Sequence, residues 1–108
     1  MAVNAGGLNP KGLAEEVQKL LSSRGCQKKV AYVVGDDLLS RIDSLNIEPL
    51  TRATGDFGSW NQKYPDVILA TAYVGCWGIV QALREGADIV ICGRCTDSST
   101  VRPIAPVH

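Results

Sequence analysis

The chain has 108 residues, 45% hydrophobic and 20% charged, which bounds it to one globular domain at most with a modest core. Eleven basic and eleven acidic residues cancel, and no basic run exceeds Lys28-Lys29. That balance removes the electrostatic pull toward nucleic acid or an anionic membrane surface, and neither is an expected partner.

Met1 to Asn4 reads as the end of a strand, and Ala5-Gly6-Gly7 as a turn. Asn9-Pro10 then marks a helix start, with Asn as the cap and Pro at the first helical position. Leu13, Val17, Leu20 and Leu21 follow at helical spacing, Glu15 and Lys19 make an i,i+4 pair on the outside, and Gly25 suits the left-handed stop. Val30 to Val34 is a β-branched run expected as a buried strand, and Gly35 closes it. Asp36-Asp37 is expected to open a helix carrying Leu38, Leu39, Ile42 and Leu45 inward.

From Asn46 to Pro65 the periodicity vanishes, with Pro49, Gly55, Gly58 and Pro65 interleaved with Phe57, Trp60 and Tyr64. So long a connection suggests a lid, an interface segment or a missing neighbour. Asp66 to Thr71 fits a strand or the first turns of a helix. Cys76, Ile79, Val80 and Leu83 share one face of a helix ending at Gly86, and Asp88 to Cys92 is a second buried strand. The tail from Thr96 to His108 is expected to be mostly irregular.

Strands alternating with helices predict an α/β fold in three layers: a short, mostly parallel sheet with flanking helices, Rossmann-like and incomplete. Such sheets bind ligands beyond the carboxyl ends of their strands. Three loops fall there, Asn4 to Asn9, Gly35 to Asp37 and Gly93 to Ser99, and they hold most residues able to do chemistry.

Each of these loops has two readings. The Asn4-Ala-Gly-Gly-Leu-Asn-Pro turn places Asn4, Gly6, Gly7 and Asn9 where backbone N–H groups could hold a phosphate or carboxylate, or it is a tight capped turn. Asp36 and Asp37 could bind a ribose hydroxyl or Mg²⁺, or one could act as a base, or they are helix caps. Arg94 suits a bidentate grip on an anion, with Asp97, Ser98 and Ser99 beside it, or it pairs with Asp97 and pins the loop.

Cys92-Gly-Arg-Cys95 has thioredoxin-like spacing, but only thirteen residues follow Cys95, too few for the rest of that fold. His108, the sole histidine, is terminal and lacks partners for a triad or metal site. With no apolar leader in the first twenty residues and no spanning segment, four reduced cysteines and a cytoplasmic or organelle-matrix location are expected.

Four blocks in order carry a family resemblance: Asn4-Ala-Gly-Gly-Leu-Asn-Pro10, Val34-Gly-Asp-Asp37, Ala70-Thr-Ala-Tyr73-Val-Gly75, and Gly86-Ala-Asp-Ile-Val-Ile91 with Gly93-Arg94 and Asp97. Together the set resembles the acyclic terpene utilisation family, the AtuA-type domain. The resemblance implies an α/β domain from the catabolism of branched acyclic terpenoids and related acyl-CoA compounds. It brings no settled mechanism and names no cofactor, and its longer members make this chain look like an internal slice. Thr71 stands where the family usually has Asn, and Cys92 and Cys95 stand where small or apolar residues are usual.

The expected function is therefore an enzyme-type domain binding an acyl-CoA or small carboxylate. Asp36, Asp37 and Asp97 are its acid–base candidates, and Asn4, Gly6, Gly7, Asn9, Tyr73, Arg94 and Ser98 its binding candidates. Lyase, hydratase and hydrolase chemistry all remain open. The alternatives are a non-catalytic subunit, completed by a second copy or a partner chain, and a small thiol redox protein.

Overall fold

A computed structural model describes residues 1–45 and 66–101. The aromatic-bearing connection from Asn46 to Pro65 and the last seven residues, with His108, lie outside the described residues. The chain divides into two units, one of residues 1–36 and 72–108 and the other of residues 37–71.

The first unit is built on three parallel strands, β1 (Ala2–Val3), β2 (Val30–Val33) and β3 (Ile89–Cys92), in the order β1-β3-β2. Val90 pairs with Ala2 on one side and Ala31 on the other, and Ile91 with Val3 and Tyr32. Helix α1 (Pro10–Ser23) follows β1, and α2 (Trp77–Arg84) precedes β3. The step from β1 to β2 passes over β3 and the step from β2 to β3 comes back. Right-handed connections therefore send the two helices to opposite faces.

β3 is apolar along its length because it lies in the middle, covered on both faces. Val90, Ile91 and Cys92 are all buried. On one face Val90 and Cys92 pack with Ile79 of α2, Ala87 and Cys95 to form the core, flanked by Ala31 and Val33 of β2. Gly78 lets α2 come close enough that a Cβ there would meet Val33 at 2.7 Å. Burial of Ile79, Val90 and Ile91 contributes about 1.5–3 kcal/mol each.

β2 departs from the expectation of a buried strand. It is an outer strand, leaving Tyr32 44% and Val34 61% exposed. In α1 the inward face is Pro10 and Ala14 with half-buried Leu13, Val17 and Leu21, whereas Leu20 is half exposed. The expected Glu15–Lys19 pair is replaced by two others: Lys19 bonds Glu16 at 2.6 Å, and Lys11 lies 3.9 Å from Glu15. Gly25 and Gly86 take the left-handed conformation expected after each helix.

In the second unit the expected helix after Asp36-Asp37 is a 3₁₀ turn, Leu39–Ser44. Leu38 stands at its cap with no side-chain bond, and the Asp37 carboxylate accepts from the Leu39 amide at 3.0 Å. Residues 66–71 form neither a named strand nor a helix, but Thr71 makes an antiparallel bridge with Asp37, and the Leu38 amide donates to Ala70 O at 2.8 Å.

Candidate functional site at the carboxyl edge of the sheet

Parallel strands end on a common edge, so the loops after β1, β2 and β3 are neighbours. Their convergence is visible in three backbone ties around the turn that follows Cys92. The Gly6 amide donates to Cys92 O at 3.0 Å, which brings the first loop against the end of β3. The Asp36 carboxylate accepts from the Arg94 amide at 2.7 Å. The segment before α2 then runs beside the turn: Val74 N donates to Arg94 O at 3.2 Å, Thr96 N donates to Val74 O at 3.1 Å, and Val74 and Cys95 form a parallel bridge.

Two glycines make these approaches possible. A Cβ on Gly6 would stand 2.7 Å from Cys92 O and as close to Pro10, and a Cβ on Gly93 would overlap the Asp36 carboxylate. Asp36 is 5% exposed. Its expected helix-capping role is not what the structure gives it; the carboxylate is a hook for the Arg94 backbone.

With its backbone held on both sides, Arg94 presents its side chain outward. The guanidinium lies over the Tyr73 ring, 4.8 Å from the centroid, and Nη2 donates to the Tyr73 hydroxyl at 2.8 Å. Both side chains are exposed. The expected alternative of an Arg94–Asp97 ion pair is not formed; the partner is Tyr73. Asp97 and Ser98 are exposed in the short 3₁₀ turn Asp97–Thr100, while Ser99 is buried and bonds the Thr96 hydroxyl.

In the first loop Asn4, Gly7 and Asn9 are exposed, and the Asn9 side chain accepts from the Gly12 amide at 2.9 Å as the cap of α1. Gly7 has φ +53°, a left-handed turn position. The Gly6 amide is spent on Cys92 O, so of the loop's expected anion donors this one points into the fold. Asp37 belongs to the second unit.

One contact at the site has no signal in the sequence. The Tyr73–Arg94 stack joins residues 21 apart, and no local spacing signals it. The Cys92 and Cys95 thiols, both buried, lie 3.8 Å apart. The Cys92 thiol is pushed up to about 12, chiefly by burial and then by its bond with Cys95. All four cysteines are free thiols. Among the described residues no cluster of three or more His, Cys, Asp or Glu is placed to hold a metal ion, and no helix is long and apolar enough to cross a membrane.

A hollow of about 580 Å³ lies at the opposite, amino edge, lined in part by Gln18, Lys28, Lys29 and Asp88. These polar groups bond one another: Lys28 Nζ to Asp88 at 2.8 Å, Lys29 N to Asp88 at 3.0 Å, and Gln18 Nε2 to Lys28 O at 3.1 Å. It is a clasp rather than a receptor.

The model of the acyclic terpene utilisation family protein AtuA matches residues 1–108. The chain belongs to the acyclic terpene utilisation family. No curated protein and no solved structure matches it. Family membership spans both units, and within the first unit residues of all four motif blocks meet at one place. Gly6 of the first, Asp36 of the second and Tyr73 of the third all contact the Cys92–Arg94 segment, to which the Gly86–Ile91 block leads.

Proposed function

We propose that this chain supplies the anion grip of a small-molecule enzyme site, binding the carboxylate or phosphate of an acyl-CoA or short branched acid in acyclic terpene utilisation. Arg94 carries the reading. Its amide is held by a buried carboxylate and its guanidinium is braced by Tyr73, so the rest of the charged fork faces solvent at the edge where α/β sheets take ligands. Asn4, Gly7, Asn9 and Ser98 belong to the adjoining exposed loops and are the further binding groups; Gly6 acts through its close approach to Cys92. Asp97, exposed beyond Arg94, is the acid–base candidate of this unit, with Asp36 as a positioning group. Asp37, the remaining acid–base candidate, belongs to the second unit. On an anionic substrate, lyase, hydratase and hydrolase chemistry can each use an anion grip and a proton carrier, and the choice among them stays open.

A melt with and without acyl-CoA, and separately with a short branched carboxylate, tests the grip. Ligand at about a hundred times its dissociation constant adds roughly 2.7 kcal/mol, or about ten degrees for a domain of this size. Arg94→Ala should weaken binding by roughly 10- to 100-fold, the worth of a charge-assisted bond, and Arg94→Lys by less. An unchanged shift in Arg94→Ala would sink the assignment. Exposed Tyr32 on outer strand β2 and Val34 just after it favour a second reading, a subunit completed by another copy or a partner chain. A melting temperature that rises with protein concentration would support it.

A further inference from the structure

Cys92 and Cys95 bracket the Gly93-Arg94 turn, and every backbone tie at the site converges there. The Cys92 Sγ lies 3.3 Å from Val3 O and 3.8 Å from Cys95 Sγ, in the core cluster with Ile79, Ala87 and Val90. Cys92 O is held by Gly6, Arg94 N by Asp36, and Arg94 O by Val74. These ties hold the backbone from which the two sulfurs project. A disulfide has its sulfurs about 2 Å apart, so each needs to move by only about 0.9 Å to close one.

We propose that Cys92 and Cys95 are an oxidisable dithiol, a modification site that a small peroxide closes to an intramolecular disulfide and a dithiol reductant reopens. In the first step one thiolate attacks a peroxide oxygen. The O–O bond breaks, a sulfenic acid forms, and the departing hydroxide takes up a proton to leave as water. The second thiol then attacks the sulfenic sulfur; the S–S bond forms, the S–O bond breaks, and a second water leaves. The protein loses two hydrogens and the peroxide is reduced to two waters. The preset pair favours this second step over further oxidation of the sulfenic acid.

Burial distinguishes the pair from an exchange catalyst. Bulky disulfides have no path to sulfurs that are 0% and 1% exposed, whereas a peroxide enters on local opening. Burial raises the Cys92 thiol, with Cys95 and the Asp36 carboxylate adding to it, so oxidation that begins at Cys92 quickens as pH rises. The site does not depend on what Arg94 binds.

The test uses the chain with Cys26→Ser and Cys76→Ser, which leaves only this pair. After hydrogen peroxide the protein is denatured, alkylated and weighed, then digested with trypsin without reduction. Cleavage after Arg94 separates the two cysteines, so a bridge appears as two linked peptides. The expected result is loss of two hydrogens, neither thiol alkylated, and full reversal by dithiothreitol. Two alkylated thiols, at a peroxide dose that oxidises exposed Cys26 in the unsubstituted chain, would overturn the proposal. So would sulfinic acid at either position in place of the bridge. Adding Cys95→Ser must abolish the two-hydrogen loss; its persistence would also refute the pairing.

Discussion

At the scale of single residues the site rests on Gly93 and Asp36. A side chain at 93 would occupy the space of the Asp36 carboxylate, the acceptor for the Arg94 amide. Gly93→Ala should therefore destabilise the fold by about 1–3 kcal/mol, the usual range for forcing atoms into a packed site. Urea unfolding would register this as a lower midpoint at unchanged slope. An unaltered midpoint would mean that Asp36 can swing aside at no cost. A glycine after a strand is legible as a turn in any sequence. Its partner, 58 positions from Arg94, is not, because nothing local to Asp36 separates a helix cap from a long-range hook.

Among the elements, α1 shows what local chemistry can decide. Asn9 caps it through the Gly12 amide, Pro10 supplies a preset φ at the first position, and Gly25 takes the left-handed stop. Asn9→Ala should cost about 1 kcal/mol, measured as a drop in melting temperature, with Asn9→Asp close to wild type. An equal loss in both variants would point to a role of Asn9 other than capping. The stretch after β2 carries similar signals yet becomes a 3₁₀ turn. Of its two acidic residues Asp36 is drawn to Arg94, and Asp37 bonds the Leu39 amide two residues on. That local bond competes with an α-helical start.

Across the whole first unit, the edge opposite the site is joined by Asp88. Its carboxylate takes Lys28 Nζ and the Lys29 amide, and these bonds, Lys28 first, hold it below the usual 3.8. Asp88 raises Lys28 above 10.5 in turn. The depressed carboxylate contributes stability present above 3.8 and lost as pH falls through its folded value. The raised ammonium contributes stability present below 10.5 and lost as pH climbs through its own folded value. The melting-temperature gap between wild type and Asp88→Asn should thus be flat across neutral pH and shrink at both extremes. A gap that persists well below pH 3 would show that Asp88 acts by something other than its charge.

Periodicity and caps alone were enough to place α1, α2 and β3, and alternation was enough for a parallel α/β sheet. The four motif blocks are enough to name the family. Burial of β2 was misjudged because Val-Ala-Tyr-Val reads alike in a central and an outer strand, and only the order β1-β3-β2 leaves it at the edge. The Tyr73 brace on Arg94 and the Asp36 hook are likewise products of tertiary structure. Local sequence sets the torsion preferences within each element. Which side chains meet across dozens of residues is decided only when the sheet closes and buried polar groups must find partners.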